Sequence, residues 1–137
     1  VLIKGKPILG ICLGMQVMAN CSFEGGENNG LGWIDATVIK LNPENSTMRV
    51  PNIGWNNIEY NSSVLLFKGL PKIPDFYHVH SYYMKTKNQD EVVATYDYGH
   101  KVTAAVLKNN IFATQFHPEK SQDYGLKILE NFIKWNP

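Results

Sequence analysis

A cysteine set between two glycines is the residue in this chain whose surroundings point most directly to chemistry. In the stretch Pro7 to Gln16, P-I-L-G-I-C-L-G-M-Q, Cys12 has Gly10 and Gly14 two residues away on either side. This is the G-x-nucleophile-x-G elbow with sulfur in place of a serine oxygen. Small residues there let the chain turn sharply and lift the nucleophile above a sheet. Ile8, Leu9 and Ile11 read as a buried strand, and Leu13 to Asn20 as a helix. The thiol is therefore expected at a helix N-terminus, where unpaired N–H groups favour the thiolate. The backbone N–H of Leu13 would face the same space and stabilise an oxyanion. The competing reading is a buried structural cysteine between two glycines.

A cysteine nucleophile needs a base, and the base needs an orienting group. Of the four histidines, His117 stands out because F-H-P-E follows the apolar run Ile111 to Phe116 and puts Glu119 two residues on. In extended chain such residues face one side, roughly 6 to 7 Å apart at Cα, within reach for a carboxylate to hold an imidazole. Pro118 favours that geometry in the residue before it. The bland alternative is a surface histidine beside a solvated carboxylate. His78 and His80 share a strand face, but no third ligand of suitable spacing accompanies them, so no metal is expected.

These groups must be positioned by elements spread along the chain. Asn20 to Gly32 turns to Gly, Asn, Ser and Glu and reads as a surface loop. Trp33 to Leu41 reads as a strand, and 42 to 47 as a loop. Pro51 and Gly54 interrupt the next segment, leaving Asn57 to Tyr60 extended, and Leu65 to Leu70 suits a helical turn. Phe76 to Thr86 alternates as one strand. Val92 to Tyr98, Lys101 to Leu107 and Ile111 to Phe116 follow at the close spacing of antiparallel meanders. Asp123 to Trp135 carries Leu126, Leu129, Phe132 and Ile133 as the apolar stripe of a packing helix.

Composition narrows the classes. With 137 residues and net charge +1, the chain makes one domain with a core and carries no basic footprint for nucleic acid. Its apolar runs are short for a membrane span, and the opening V-L-I-K-G-K-P does not read as a signal peptide. A helix between Cys12 and Cys21 would set them on opposite faces roughly 13 Å apart, beyond disulfide reach. A reduced, cytoplasmic chain with Cys21 as an ordinary helix-end residue is expected. The start at Val1, with Gly5 and Pro7 leading straight into a strand, suggests a fragment whose sheet has further neighbours.

G-I-C-L-G-M-Q around Cys12 and Q-F-H-P-E-K-S around His117 resemble the class I glutamine amidotransferases. V-P-N-I-G-W-N (50 to 56) and Y-H-V-H-S-Y-Y (77 to 83) resemble, within that superfamily, the glutaminase subunits of imidazole glycerol phosphate synthase. The likeness runs over essentially the whole chain. It implies an α/β, flavodoxin-like mixed sheet with flanking helices, residues 1 to 137 being the C-terminal two thirds of a type 1 domain that lacks its N-terminal strands. It implies a triad of Cys12, His117 and Glu119 and no cofactor. Leu13, Gln16 and the segment His80, Ser81 and Tyr82 would bind glutamine. Trp55, Asn56, Tyr77 and Lys120 would face a cyclase partner that receives the ammonia, although Trp55 and Tyr77 equally suit core packing. Asn52 departs from the family's usual histidine. The missing part would include a P-G-x-G loop that completes the oxyanion hole, and losing such a donor costs on the order of 100- to 1000-fold in rate. The 137-residue piece alone is then expected to be nearly inert.

Three other readings remain open. A paralogue of the same fold would feed ammonia to a different synthase, such as one that aminates a surface sugar. A binding domain would keep the fold without turnover. A cysteine-dependent α/β hydrolase would share the elbow, but it calls for an acid earlier in the chain than the histidine, whereas Glu119 follows it.

Overall fold

The computed structural model describes residues 1 to 44 and 47 to 137. Strands are β1 (Ile8–Ile11), β2 (Cys21–Ser22), β3 (Asn28–Asn29), β4 (Ala36–Lys40), β5 (Asn52–Asn57), β6 (Glu59–Tyr60), β7 (Asp75–His80), β8 (Tyr82–Thr86), β9 (Val92–Asp97), β10 (Lys101–Lys108) and β11 (Ile111–Thr114). The helices are α1 (Leu13–Gln16) and α2 (Gln122–Lys134), with 3-10 turns at Leu65–Phe67, Gln89–Glu91 and Pro118–Lys120. The loop expected over 42 to 47 includes residues 45 and 46, which lie outside the described residues.

The central sheet runs β1-β11-β10-β9-β6. Its one parallel pair is β1 with β11, Ile8 opposite Ile111 through Ile11 opposite Thr114. From β11 outward the pairing is antiparallel; for β11, β10 and β9 the close spacing predicts it, whereas β6 joins β9 from much earlier in the chain. Every residue of β11 is buried, so both faces of the sheet are covered. Phe112 and Phe116 pack on one side with Phe67, Phe76 and Ile128, while Ile111 and Ala113 pack on the other with Met15, Met18, Val38 and Met84. That is the period-two alternation of a strand buried on both faces.

Several expected boundaries shift. The helix read over Leu13 to Asn20 is a single turn ending at Gln16, and Cys21 lies in β2, pairing with Asn29 and Thr37, rather than at a helix end. Both cysteines are free thiols. The surface loop read over Asn20 to Gly32 contains the short β2 and β3. Gly54 sits inside β5, where φ +143 suits glycine, so that strand begins earlier than its Pro and Gly suggest. The single strand read over Phe76 to Thr86 breaks at Ser81: β7 pairs with β5, and β8 pairs with β4 in another sheet. The Ser81 carbonyl accepts from Leu41 N–H at 2.8 Å, which anchors the break.

Helix α2 falls where expected but is rotated. Gly125 and Ile128 face the core, whereas Leu126 and Ile133, assigned to the buried stripe, are 56 % and 81 % exposed. Close approach decides the rotation. A Cβ on Gly125 would lie 1.8 Å from the Pro118 carbonyl oxygen, so only glycine lets α2 pack onto the turn that carries His117. Gly125→Ala is expected to cost about 3 kcal/mol, at the upper end of overpacking effects. Gly14→Ala, with no atom within 4 Å of the new methyl, should stay within about 0.5 kcal/mol. Urea unfolding of both variants measures the contrast.

Candidate active site

The elbow at Cys12 is built by the end of β1. Cys12 N–H donates to Thr114 O at 2.8 Å, one rung past the β1–β11 ladder, and the Cys12 carbonyl accepts from Met15 and Gln16 N–H to open α1. Between these two roles the backbone takes φ 52, ψ −107, a left-handed conformation that side chains other than glycine rarely adopt and that concentrates at functional sites. Gly10 is required, since a Cβ there would stand 2.8 Å from Met18 Cε and 2.9 Å from Gly14 O. Gly14 meets no such crowding.

The thiol is not the ready thiolate expected from a helix start. Burial pushes the Cys12 thiol above its ordinary value; hydrogen bonding from Leu13 N–H and the Gln115 side chain pulls it down without prevailing, and Glu119 and Glu24 add to the rise. With only four residues in α1, the helix end brings little field to oppose desolvation. Val79 O, 4.0 Å from Sγ, accepts from the thiol. Cys12 therefore rests protonated and needs a base to become a nucleophile.

His117 stands where β11 leaves the central sheet. Gln115 N–H still donates to Ala104 O of β10 at 2.8 Å, but His117 N–H donates to Tyr77 O of β7 at 3.0 Å. His117 is extended, and the chain then enters the 3-10 turn Pro118–Lys120. Glu119 thus reaches the ring through a turn, not through the alternation of extended chain. The outcome is the expected pair: His117 Nδ1 lies 2.6 Å from Glu119 Oε1. Ser121, fully buried, donates to His117 O at 2.6 Å and accepts from Tyr77 N–H at 3.0 Å, pinning the turn to β7.

Gln16 is buried, and its Nε2 donates to Tyr82 O at 2.8 Å and to Gln115 Oε1 at 3.1 Å. Both amide protons are thereby used, leaving only Oε1 for a ligand. Of the segment His80, Ser81 and Tyr82 at the β7–β8 break, the Tyr82 carbonyl meets Gln16, whereas the carbonyl that accepts from Cys12 is that of Val79, one residue before the segment. His80 itself turns inward, Nδ1 to Tyr82 O at 2.8 Å and Nε2 to Tyr96 Oη at 2.8 Å, while Asn52 donates to Tyr96 Oη at 3.0 Å. A cavity of about 240 Å³ opens beside Leu13 and Gln16, with Ser22, Glu24 and Asn29 in its wall.

Trp55 and Tyr77 face each other across β5 and β7, ring centroids 6.0 Å apart, with Trp55 45 % exposed. Asn56 turns back to Asn52 Oδ1 at 3.3 Å, and Lys120 is exposed at the end of the His117 turn. Among the described residues, no group of three or more His, Cys, Asp or Glu is arranged to hold a metal ion. No helix of the described residues is long and apolar enough to cross a membrane.

Sequence reasoning overlooked three side chains here. Gln115 and Ser121 were visible inside Q-F-H-P-E-K-S as motif letters without a role. Glu24 lies in a stretch that reads as surface loop, and only folding brings it to the cavity beside Leu13 and Gln16.

The model of the glutamine amidotransferase class-I family matches residues 1–135. An imidazole glycerol phosphate synthase subunit HisH 1 of Campylobacter jejuni is 51 % identical over 134 residues, covering 98 % of this chain and 66 % of the relative. A HisH subunit of Brucella abortus is 47 % identical over 140 residues, covering 100 % of this chain and 65 % of the relative. The chain thus spans about two thirds of the length of these curated relatives. In fold it is similar to a glutamine amidotransferase of Thermotoga maritima, with a TM-score of 0.63 and 21 % identity over 97 % of this chain and 49 % of that one. The chain belongs to the class I glutamine amidotransferases, and its mixed α/β architecture is theirs.

Proposed function

We propose that the chain forms the C-terminal two thirds of a glutaminase subunit of imidazole glycerol phosphate synthase, a cytoplasmic protein that passes ammonia to a cyclase subunit in histidine biosynthesis. The names of its relatives support the pathway. The observation that carries the chemistry is the His117–Glu119 pair at 2.6 Å, on a turn reached from the very strand whose neighbour delivers Cys12.

In this reading Nδ1–H of His117 is held by Glu119, which leaves the Nε2 lone pair as the base. His117 takes the Cys12 proton and sulfur attacks the side-chain amide carbon of glutamine. The oxyanion so formed is met by Leu13 N–H. As the carbonyl re-forms, the C–N bond breaks, His117 returns the proton to the leaving nitrogen, and ammonia departs from a glutamyl thioester. Water, deprotonated by His117, then adds to the thioester carbonyl, glutamate leaves and the thiol is restored. Gln16 Oε1 and the Glu24 carboxylate suit the α-ammonium of glutamine, which needs acceptors. The exposed Trp55, with Tyr77, Asn56 and Lys120 on the face beside the His117 turn, suits the cyclase contact.

Glutamate release by the full-length gene product, with and without the cyclase subunit, tests this reading. Turnover that depends on Cys12 is the expected result. Glu24→Gln should raise KM about tenfold or more while changing kcat less, the mark of a lost ground-state contact. Absence of glutamate release with the cyclase present would remove the assignment.

A further inference from the structure

Gln115 has no place in the proposed triad, yet its side chain is wholly buried and ends on the nucleophile. Its Nε2 lies 3.7 Å from Cys12 Sγ and its Oε1 lies 3.1 Å from Gln16 Nε2, the same nitrogen that donates to Tyr82 O. The direction of this chain of bonds is set from one end. A backbone carbonyl only accepts, so Gln16 must present its nitrogen to Tyr82. The second proton on that nitrogen goes to Gln115, so Gln115 must present oxygen to Gln16 and nitrogen to the sulfur.

Cys12 Sγ therefore sits between two kinds of neighbour. Val79 O accepts and suits the thiol. Gln115 Nε2 and Leu13 N–H donate and suit the thiolate. When His117 removes the proton, the Val79 contact becomes repulsive and the two donors strengthen, because hydrogen bonds to ions exceed those to neutral groups. We propose that Gln115 is a working part of the nucleophile: its amide N–H stabilises the Cys12 thiolate directly, and Gln16 holds that amide in its donating orientation. Gln16, at the end of α1, is then a positioning residue that acts on sulfur through Gln115 and is itself anchored by Tyr82 O at the start of β8. The inference rests on the reading of Cys12 as the nucleophile, but its test needs no glutamine.

The test is the pH dependence of Cys12 alkylation by iodoacetamide on the full-length protein, with peptide mass mapping to separate Cys12 from Cys21. Gln115→Met keeps the length and removes the donor. It is expected to raise the apparent pKa of the thiol by about one unit, a roughly tenfold slower reaction at a fixed pH below it. Gln115→Glu, the same shape with a carboxylate against sulfur, should raise it further. Gln16→Met frees the Gln115 amide to turn and should give a smaller rise. Titration curves that match the unmodified protein in the folded variants, judged by circular dichroism, would overturn the proposal, as would a lowered melting temperature with an unmoved curve. Should Gln115→Met not fold, the isosteric Gln115→Glu decides by the same criterion. Shifts of the expected size in a protein that releases no glutamate would sink the glutaminase reading and leave this one standing.

Discussion

Cys12→Ala and His117→Ala are each expected to lower glutamate release by about 10⁴-fold or more, and the double variant to be little worse than either alone. Members of a nucleophile–base couple act as a unit, so removing one forfeits the step. The structure makes the dependence steep because the thiol rests protonated: burial holds it above its ordinary value, and the nearby Val79 carbonyl favours S–H. Without an imidazole to receive the proton, few molecules would carry thiolate at neutral pH. Glu119→Gln should lose less than either alanine variant, because an amide turned to present its oxygen still accepts from His117 Nδ1. Initial rates of glutamate formation by the full-length protein with its cyclase give all four values. Near-normal turnover in either alanine variant would contradict the triad.

The second large effect is on stability in acid. His78 and His80 are buried on one face of β7 beside Tyr96, with Phe116 against His78. Desolvation, with the neighbouring His80 charge next, lowers His78 to about 3; desolvation likewise lowers His80 to about 4, with the His117 charge adding to the fall. Both rings fit their sites as neutral imidazoles. His78 Nδ1 donates to Phe76 O at 3.0 Å, and its Nε2 has no hydrogen-bond partner among the described residues. His80 donates to Tyr82 O and accepts from Tyr96.

Above about pH 6.5 neither state of the protein binds a proton at these rings, and they leave stability unchanged. Below it the unfolded chain takes up protons that the folded protein refuses, so stability falls with pH until the folded values near 4 and 3 are passed. By pH 4 the loss is about 3 kcal/mol for each ring, together comparable with the whole stability of a small domain. The protein is expected to unfold between pH 4 and 5. His78→Phe, placing an apolar ring where Nε2 has no partner, should move the acid midpoint down by about half a pH unit or more. Circular dichroism against pH for the two proteins measures it, and coincident acid transitions would show that His78 does not carry the effect.

What the sequence disclosed and what it withheld divide along physical lines. The elbow was legible because a reactive residue flanked by glycines leaves a local signature, and so was the His117–Glu119 pair, two residues apart with a proline between. The meander from β9 to β11 was legible in its turn residues. The break at Ser81 was not, because Phe76 to Thr86 keeps strand character throughout and only its two different partners, β5 and β4, divide it. The rotation of α2 was missed because large apolar residues were counted as the buried face, whereas the closest contact is made by Gly125. The raised thiol value was missed for a related reason: the start of a helix was visible, but neither its length of one turn nor the burial of the sulfur was. Glu24 and Gln115 come to the site only in three dimensions, Glu24 to the cavity beside Leu13 and Gln16 from the segment after β2, and Gln115 to Cys12 from 103 positions away.

The measurement that bears most directly on the account is covalent labelling of the full-length protein by a glutamine-analogue electrophile, read by peptide mass. One adduct on Cys12 and none on Cys21, formed more slowly in the presence of glutamine and nearly abolished in His117→Ala, is the predicted result. A Cys12 that stays unlabelled, or labels no faster than Cys21 and without regard to His117 or glutamine, would contradict it.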